Sequence, residues 1–375
     1  MRKETQCIHS GTLQDSIAGG VNSPVFPSSA FNYLEGGDIP YPRYFNTPNQ
    51  KAVIDKIAAI EGAENGVLFS SGMAAMSTAI LSFAAAGEHV VMMDELYGGT
   101  HAFATDLFGK LGIEYTFAST DSDSICKCVR KNTRVIVIES PTNPLLSIVD
   151  IRKIAEFARQ EGVVTIIDNT FATPISQNPL RHGIDVVVHS GTKYLGGHSD
   201  LCFGVVVTTQ EKAERIRAVS RHLGGSVNAL TCYLIERSLK TLAIRVERQS
   251  ENADRIAKYL EAHPKIVKVN YPGLPGSRYH EIAKAQMERF GAMLSFDPDV
   301  NAGTFVKSLT LIKPAVSLGG IETTICAPAV TSHAKMTEAE RKRTGITGSL
   351  LRLSVGIEHI DDLLEDIGKA LKNCE

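Results

Sequence analysis

Short, fully apolar segments alternate with segments of helical periodicity along much of the chain, and this alternation restricts the possible folds strongly. The apolar segments are rich in Val, Ile, Leu and Met, and several helix-like segments between them end at a glycine. Strands that are apolar on both faces are typical of a parallel sheet covered by helices. We predict strands at 67–70, 90–93, 113–117, 135–138, 163–167, 186–188 and 204–207. The predicted fold class is therefore α/β, with a mostly parallel sheet flanked by helices.

The two ends of the chain depart from this pattern. Residues 1–46 are rich in Gly, Pro, Ser and Asn and show little helical period, which predicts an extended N-terminal arm. Beyond about residue 235 the elements indicate a smaller α/β unit, with helices at 251–262 and 360–372 and strands at 266–270, 293–296 and 351–355. We therefore expect an arm (1–46), a large domain (47–235) and a small C-terminal domain (236–375). A chain of 375 residues is long enough for two cores.

Charge and cysteine usage exclude several classes of partner. The net charge of −2 creates no field that would attract nucleic acid or an anionic membrane. No apolar segment reaches the ~18 residues that a membrane helix needs. The seven cysteines are odd in number and include no Cys-x-x-Cys pair, which favours reduced thiols in a cytoplasmic protein. We expect small-molecule ligands, no nucleic acid and no membrane.

Lys193 is the leading candidate for chemistry. It lies in a glycine-rich segment with Ser190 and Thr192, directly after an apolar strand. A desolvated amine suits a Schiff base, and hydroxyls with backbone N–H groups suit a phosphate. Together they point to pyridoxal 5'-phosphate (PLP), an aldehyde that carries its own phosphate. The alternative is a surface lysine in a flexible loop.

Other polar residues also follow apolar strands, where ligands gather in open α/β sheets. Asp168 is placed to pair with a protonated pyridine nitrogen, although a turn-forming aspartate is the alternative. Tyr97 has a ring that can stack on a flat cofactor and a hydroxyl for proton transfer. Asn143 lies between two prolines in a constrained loop and can hydrogen-bond a ligand. A core tyrosine and a proline-braced turn remain the alternatives for these two.

Two further positions suit anionic groups. Ser71, Gly72 and Met73 join a strand to a helix, where free N–H groups and the helix dipole favour a phosphate, although a simple helix cap is the alternative. Arg352 stands between leucines in a predicted strand and needs a partner, which a substrate carboxylate would supply. It is otherwise an outward-facing strand residue.

The ordered set of motifs resembles the cystathionine γ-synthase-like (Cys/Met-metabolism) family of PLP enzymes over nearly the full length, above all at 190–200 and 350–358. The resemblance implies the aspartate-aminotransferase type (type I) PLP fold and a homotetramer made of two dimers with shared active sites.

The resemblance also assigns roles to site residues: it implies an internal aldimine on Lys193, a ring partner in Asp168, a stacking Tyr97 and a substrate site in Val316 and Ser317. The positions that it assigns to the cofactor phosphate are Ser71, Gly72, Met73, Ser190 and Thr192, and those that it assigns to substrate are Asn143 and Arg352. Tyr41 and Arg43 match the pair that reaches the phosphate of the neighbouring subunit, although the following Asn46-Thr47-Pro48 departs from the usual Asn-Pro-Thr.

The resemblance also implies sulfur amino-acid metabolism, and it leaves the reaction open. The apolar Val316 resembles methionine γ-lyase sites, whereas Gly99 stands where those enzymes carry a cysteine. We favour a carbon–sulfur lyase that performs γ-elimination on cystathionine, methionine or homocysteine and releases 2-oxobutyrate, ammonia and a thiol. Cystathionine β-lyase and cystathionine γ-synthase or O-acylhomoserine thiol transfer are the alternatives.

A metal-dependent hydrolase is a remote alternative from another class. It would use Asp168, His189, His198 and Asp200. The two histidines lack the i, i+4 spacing of a helical metal site and flank a glycine pair, so we expect no metal.

Overall fold

Two β-sheets organise the chain in the computed structural model, which describes residues 1–34, 36–331, 334, 341 and 344–374. Within these residues the larger sheet has seven strands in the order β1-β7-β6-β5-β4-β2-β3. Strands β2 to β6 run parallel, and β7 pairs antiparallel with both β1 and β6. The strands are β1 (Asn65–Phe69), β2 (His89–Met93), β3 (Glu114–Ala118), β4 (Thr133–Glu139), β5 (Val164–Asp168), β6 (Val186–Ser190) and β7 (Gly204–Thr208).

Helices cover this sheet, and its central strands are almost wholly buried. Helix α2 ends at Gly62 and α7 at Gly162, and both glycines adopt the left-handed conformation that closes a helix without a Cβ penalty. A π-helical turn at Ala104–Phe108 joins α4 to α5. The helices are α2 (Pro48–Glu61), α3 (Gly72–Phe83), α4 (Gly98–Phe103), α5 (Gly109–Leu111), α6 (Ser122–Lys127), α7 (Ile151–Glu161), α8 (Thr173–Ser176), α9 (Gln210–Leu223) and α10 (Ala229–Leu239).

The C-terminal part forms the second sheet, in the order β10-β11-β12-β9-β8. Its strands are β8 (Ile266–Asn270), β9 (Met293–Pro298), β10 (Lys313–Pro314), β11 (Thr324–Cys326) and β12 (Leu351–Ser354). Its helices are α11 (Leu242–Glu261), α12 (His280–Gln286), α13 (Ala302–Ser308) and α14 (Ile360–Lys372). The two apolar cores share α11, because Val246 belongs to the larger core and Ala253 to the smaller. The division into 47–235 and 236–375 stays a prediction.

Two elements differ from the sequence-based expectation. Lys3–His9 forms a helix, α1, inside the segment that we predict as extended; it has one buried residue, Cys7, and so no apolar period. Helix α11 begins at Leu242 rather than at residue 251. The sequence pattern does not reveal its first turns because the buried polar residues Arg245 and Gln249 interrupt their apolar period. Tertiary contacts fix both elements.

In the part of the chain that the structure describes, no helix combines the length and apolarity that a membrane crossing needs.

Candidate active site

A cavity of about 490 Å³ lies between the carboxyl edge of the larger sheet and segments that belong to or adjoin the second sheet. The ends of β4, β5 and β6 and the start of α3 form one wall, and segments around Val316 and Arg352 form the other. Most of the residues that we predict as functional line it. They are Ser71, Gly72, Met73, Tyr97, Asn143, Asp168, Ser190, Thr192, Lys193, Val316, Ser317 and Arg352.

Lys193 presents its amine to this cavity from the turn that follows β6. Its Nζ donates a 2.7 Å hydrogen bond to Ser317 Oγ, in the segment that follows β10. Burial lowers the pKa of the Lys193 amine, and the nearby positive charge of Arg352 lowers it further, while Asp168 acts in the opposite direction. This environment favours the neutral amine, which is the nucleophilic form.

Asp168 ends β5 and accepts two hydrogen bonds at Oδ1, from the backbone N–H of Thr170 at 3.0 Å and from the Thr170 hydroxyl. No side chain or backbone group among the described residues donates a hydrogen bond to its Oδ2. Burial raises the pKa of Asp168, and the Thr170 bonds, His189 and Lys193 offset part of this rise. A cation at the open oxygen would stabilise the carboxylate, and a protonated pyridine nitrogen supplies one.

The beginning of α3 offers an anion site. Ser71 caps the helix by accepting the N–H of Ala74 at its Oγ, and the N–H groups of Gly72 and Met73 find no acceptor within the part of the chain that the structure describes. A Cβ at Gly72 would lie 2.7 Å from Ser190 Cβ, so only glycine leaves this space open. Free N–H groups, a helix dipole and the Ser190 hydroxyl suit a phosphate. These residues and Asp168 together fit PLP.

Arg352 is buried, with 5% of its surface exposed, and lies opposite the sheet edge. Its Nη1 donates to Asn143 Oδ1 and its Nη2 to the carbonyl of Ser317, both at 2.9 Å, whereas its Nε has no partner. Among the described residues no carboxylate lies within ion-pair distance of the guanidinium. An uncompensated buried charge of this kind suits a carboxylate ligand.

Two predicted residues lie outside the cavity lining. Arg43 donates from Nη1 to the carbonyl of Arg221 at 2.7 Å and stands over the rings of Tyr41 and Tyr44. Tyr41 and Tyr44 are exposed. Contact of Tyr41 and Arg43 with a neighbouring subunit's cofactor stays a prediction.

Several lining residues escape prediction from sequence. Glu139 ends β4 and accepts backbone N–H groups from two loops. Thr170 accepts the N–H of Ser190 at 2.8 Å and so connects Asp168 with the segment of Lys193. Cys326 and Thr331 also line the cavity. The one usable signal is the position of Glu139 and Thr170 directly after apolar strands.

The two histidines considered for a metal site are engaged elsewhere. His189 Nε2 lies 2.7 Å from Glu61 Oε1 in a buried pair, and His198 Nδ1 lies 2.8 Å from the carbonyl of Gly196. Across the described residues, no group of three or more His, Cys, Asp or Glu side chains is arranged to hold a metal ion.

Comparisons with known proteins find relatives over the whole chain. The family model described as Cys/Met metabolism PLP-dependent enzyme matches residues 4–372. Cystathionine γ-lyase of Bacillus subtilis (strain 168) is 42% identical over 379 residues, which cover 100% of both chains. Cystathionine β-lyase MetC of the same strain is 41% identical over 379 residues, covering 98% of this chain and 96% of the relative. The crystal structure of cystathionine γ-lyase from Lactobacillus plantarum complexed with L-serine matches with a TM-score of 0.96 and 38% identity, covering 100% of this chain and 99% of the other. The likeness confirms the predicted fold class.

Proposed function

The chain belongs to the Cys/Met-metabolism family of PLP-dependent enzymes, and on this premise we propose that it is a carbon–sulfur lyase that performs γ-elimination on a sulfur amino acid. The products are 2-oxobutyrate, ammonia and a thiol. One observation carries the proposal: Lys193, Asp168 and Arg352 line the same cavity. Their amine, carboxylate and guanidinium match the three charged demands of PLP chemistry on an amino acid.

PLP, when bound, supplies an electron sink for negative charge at the substrate α-carbon. Asp168 would hold the pyridine nitrogen protonated through its open oxygen. The N–H groups of Gly72 and Met73, with Ser71, Ser190 and Thr192, would hold the phosphate. Tyr97, which is half exposed in the cavity wall, would lie against the ring.

Lys193 then acts as the acid and base. Burial and Arg352 lower the pKa of the Lys193 amine, and this shift toward the neutral form favours its role as the base that accepts the proton of the substrate α-carbon. Elimination at the γ-position needs a second proton removal, from the β-carbon, and the same amine would be the base for it after it has delivered the first proton to the bound cofactor. The Ser317 hydroxyl holds this amine in one position between the two steps. The Tyr97 hydroxyl or Lys193 would protonate the departing sulfur.

Arg352 orients the substrate. The guanidinium would bind the α-carboxylate, while Asn143 and the Ser317 carbonyl fix its plane. An arginine held from two sides presents a carboxylate fork in one direction, which places the α-carbon hydrogen toward Lys193.

Val316 supports γ-elimination on an amino acid with an apolar side chain. Val316 lies at the mouth of the cavity, where 68% of its surface is exposed, and it adjoins Ser317. An apolar residue there would contact the substrate beyond its sulfur. The relatives above are named for γ-lyase and β-lyase reactions, so product analysis must choose between them.

The deciding experiment incubates the purified enzyme separately with cystathionine, methionine, homocysteine and cysteine, and with O-acylhomoserine plus cysteine. We expect 2-oxobutyrate from methionine or homocysteine and from cystathionine. Pyruvate from cystathionine without 2-oxobutyrate would show a β-lyase, and cystathionine formed from O-acylhomoserine as the main product would show a synthase.

The attachment of the cofactor has its own test. Borohydride reduction of the loaded enzyme followed by peptide mass mapping should place the cofactor on Lys193. Lys193→Ala should lose both the reduced adduct and turnover. Lys212→Ala is the matched control, because Lys212 lies outside the cavity in an ion pair with Asp185. Turnover by K193A equal to that of K212A would contradict the proposal.

We further propose that the protein is a homotetramer, a dimer of dimers in which Tyr41 and Arg43 complete the active site of a neighbouring subunit. The apolar Ile17 and Val21 of the N-terminal segment are 96% and 89% exposed in the single chain, which favours burial against another copy. Light scattering would give the mass of the assembly. A mixture of Arg43→Ala and Lys193→Ala subunits should regain part of the activity that each variant lacks. A cytoplasmic location stays a prediction.

A further inference from the structure

Glu139 is a buried carboxylate at the cavity that none of the proposed chemical steps uses. It is the last residue of β4 and stands in register with Asp168, the last residue of β5. Because the two strands are parallel neighbours, the two carboxylates point to the same face of the sheet. Burial and the neighbouring Asp168 raise the pKa of Glu139 well above its ordinary value. A carboxylate is thus an unfavourable choice here unless it has a specific task.

The two oxygens of Glu139 bond to two different loops. Oε2 accepts the backbone N–H of Tyr97 at 2.8 Å, in the loop that follows β2. Oε1 accepts the backbone N–H of Asn143 at 3.1 Å, in the loop that follows β4. Both partners are N–H donors, so the site requires two acceptors. Among the neutral and charged side chains, only a carboxylate supplies two acceptor oxygens in this geometry.

Each of these loops carries a residue of the proposed site. Tyr97 faces the cavity and would contact the cofactor ring. Asn143 accepts the guanidinium of Arg352 through its Oδ1 and so belongs to the substrate carboxylate clamp. One side chain therefore connects the cofactor side of the cavity with the substrate side.

We propose that Glu139 is a positioning residue that holds Tyr97 and the Asn143–Arg352 clamp in register with each other. The proposal rests on the proposed function, since it assigns PLP to one loop and the substrate carboxylate to the other. In this role Glu139 acts through the two backbone N–H bonds.

The test compares Glu139→Gln with the matched control Glu95→Gln. The glutamine amide has one acceptor and one donor, so in either orientation an NH₂ faces an N–H and one bond is lost. Glu95 lies in the loop of Tyr97 and accepts the Thr142 hydroxyl at 2.8 Å, a bond that an amide oxygen keeps. We expect E139Q to raise KM for the amino acid roughly tenfold with a smaller change in kcat, and to alter the visible circular dichroism of the bound cofactor. E95Q should resemble the parent in both measurements.

A double-mutant cycle separates positioning from general loosening of the fold. If Glu139 acts on substrate through Asn143, then E139Q should raise KM little further in an Asn143→Ala background. KM increases that multiply would overturn the proposal, and so would an E139Q enzyme that matches the parent in KM and circular dichroism. Glu139→Asp guards against misfolding of E139Q. Aspartate keeps both acceptor oxygens but is one methylene short and cannot reach both N–H groups, so E139D should show the same KM increase. A parent enzyme that binds no PLP would overturn the proposed function as well. An active parent enzyme whose KM and circular dichroism are unchanged by E139Q would overturn only the role proposed for Glu139.

Discussion

The amine of Lys193 lies 2.7 Å from the hydroxyl of Ser317, and the two residues follow strands of different sheets, β6 and β10. Ser317 has a φ of +72°, in the left-handed region that disfavours side chains. Its carbonyl accepts Arg352 while its Oγ accepts Lys193. The two bonds hold a strained backbone in place and connect the proposed general base, Lys193, with the proposed carboxylate clamp, which is typical of strain stored at a functional site.

Replacing Ser317 should separate its chemical role from its backbone strain. Ser317→Ala and Ser317→Gly both remove the hydroxyl, so both should lower kcat to a similar extent because the Lys193 amine loses its anchor. Glycine adopts a φ of +72° without a Cβ penalty, so the free energy of unfolding of S317G should exceed that of S317A by about 1 kcal/mol. S317G should therefore unfold at a higher temperature. Steady-state kinetics and thermal unfolding of the loaded enzymes check this. An S317A protein as stable as S317G would show that the backbone is not strained.

The charge of Arg352 should control the pH at which Lys193 captures PLP. Capture needs the neutral amine, and burial and Arg352 both lower the pKa of Lys193. The capture rate of the apoenzyme should therefore rise with pH and level off below the pH expected for a free lysine. Arg352→Gln removes the positive charge, so the pKa of Lys193 rises and the midpoint of the rate profile moves to higher pH. Arg352→Lys keeps the charge and is the control. A midpoint that moves equally in both variants would show that the charge of Arg352 does not lower the pKa of Lys193, and would leave burial as the cause.

Asp168→Asn should stabilise the apoenzyme at neutral pH while abolishing tight cofactor binding. Burial raises the pKa of Asp168 in the folded chain, so the folded state binds more protons than the unfolded state above the ordinary pKa of a carboxyl. The stability of the apoenzyme must then fall as pH rises through this window. Asparagine keeps the acceptor for the Thr170 bonds without the charge, and D168N should lose this pH dependence. Thermal unfolding of both apoenzymes between acidic and neutral pH measures it, and equal slopes would contradict the assignment.

The site residues that directly follow strands can be predicted from the sequence. Lys193, Asp168 and Asn143 each come after an apolar segment, and because parallel strands end at one edge, their meeting in one cavity is predictable. Arg352 comes from the second sheet, and its flanking leucines indicate a charge in need of a partner.

The residues that sequence reasoning misses depend on the backbone. Glu139 bonds to two main-chain N–H groups, and no side-chain pattern encodes where those groups lie. Cys326 ends a strand of three residues, which is too short to show a periodicity. Helix α1 has a single buried residue and is fixed by its packing on α2 and α11. The proposed contact of Tyr41 and Arg43 with the cofactor of a neighbouring subunit involves a second chain, so it stays a prediction.

Gly99 should be required for the position of the Tyr97 ring. A Cβ at Gly99 would lie 2.5 Å from Tyr97 Cε1 and 3.0 Å from Met73 Sδ, so any larger residue must displace the ring or the start of α3. Gly99→Ala should therefore weaken PLP binding and lower kcat/KM by roughly tenfold or more, in line with the ~1–3 kcal/mol of a typical overpacked site. Gly109→Ala is the matched control, because a Cβ there meets nothing within 4 Å and alanine favours its helical backbone. Cofactor titration and steady-state kinetics on both variants decide the matter. A G99A enzyme that binds PLP and turns over substrate as G109A does would show that the Tyr97 ring tolerates a methyl group at this position.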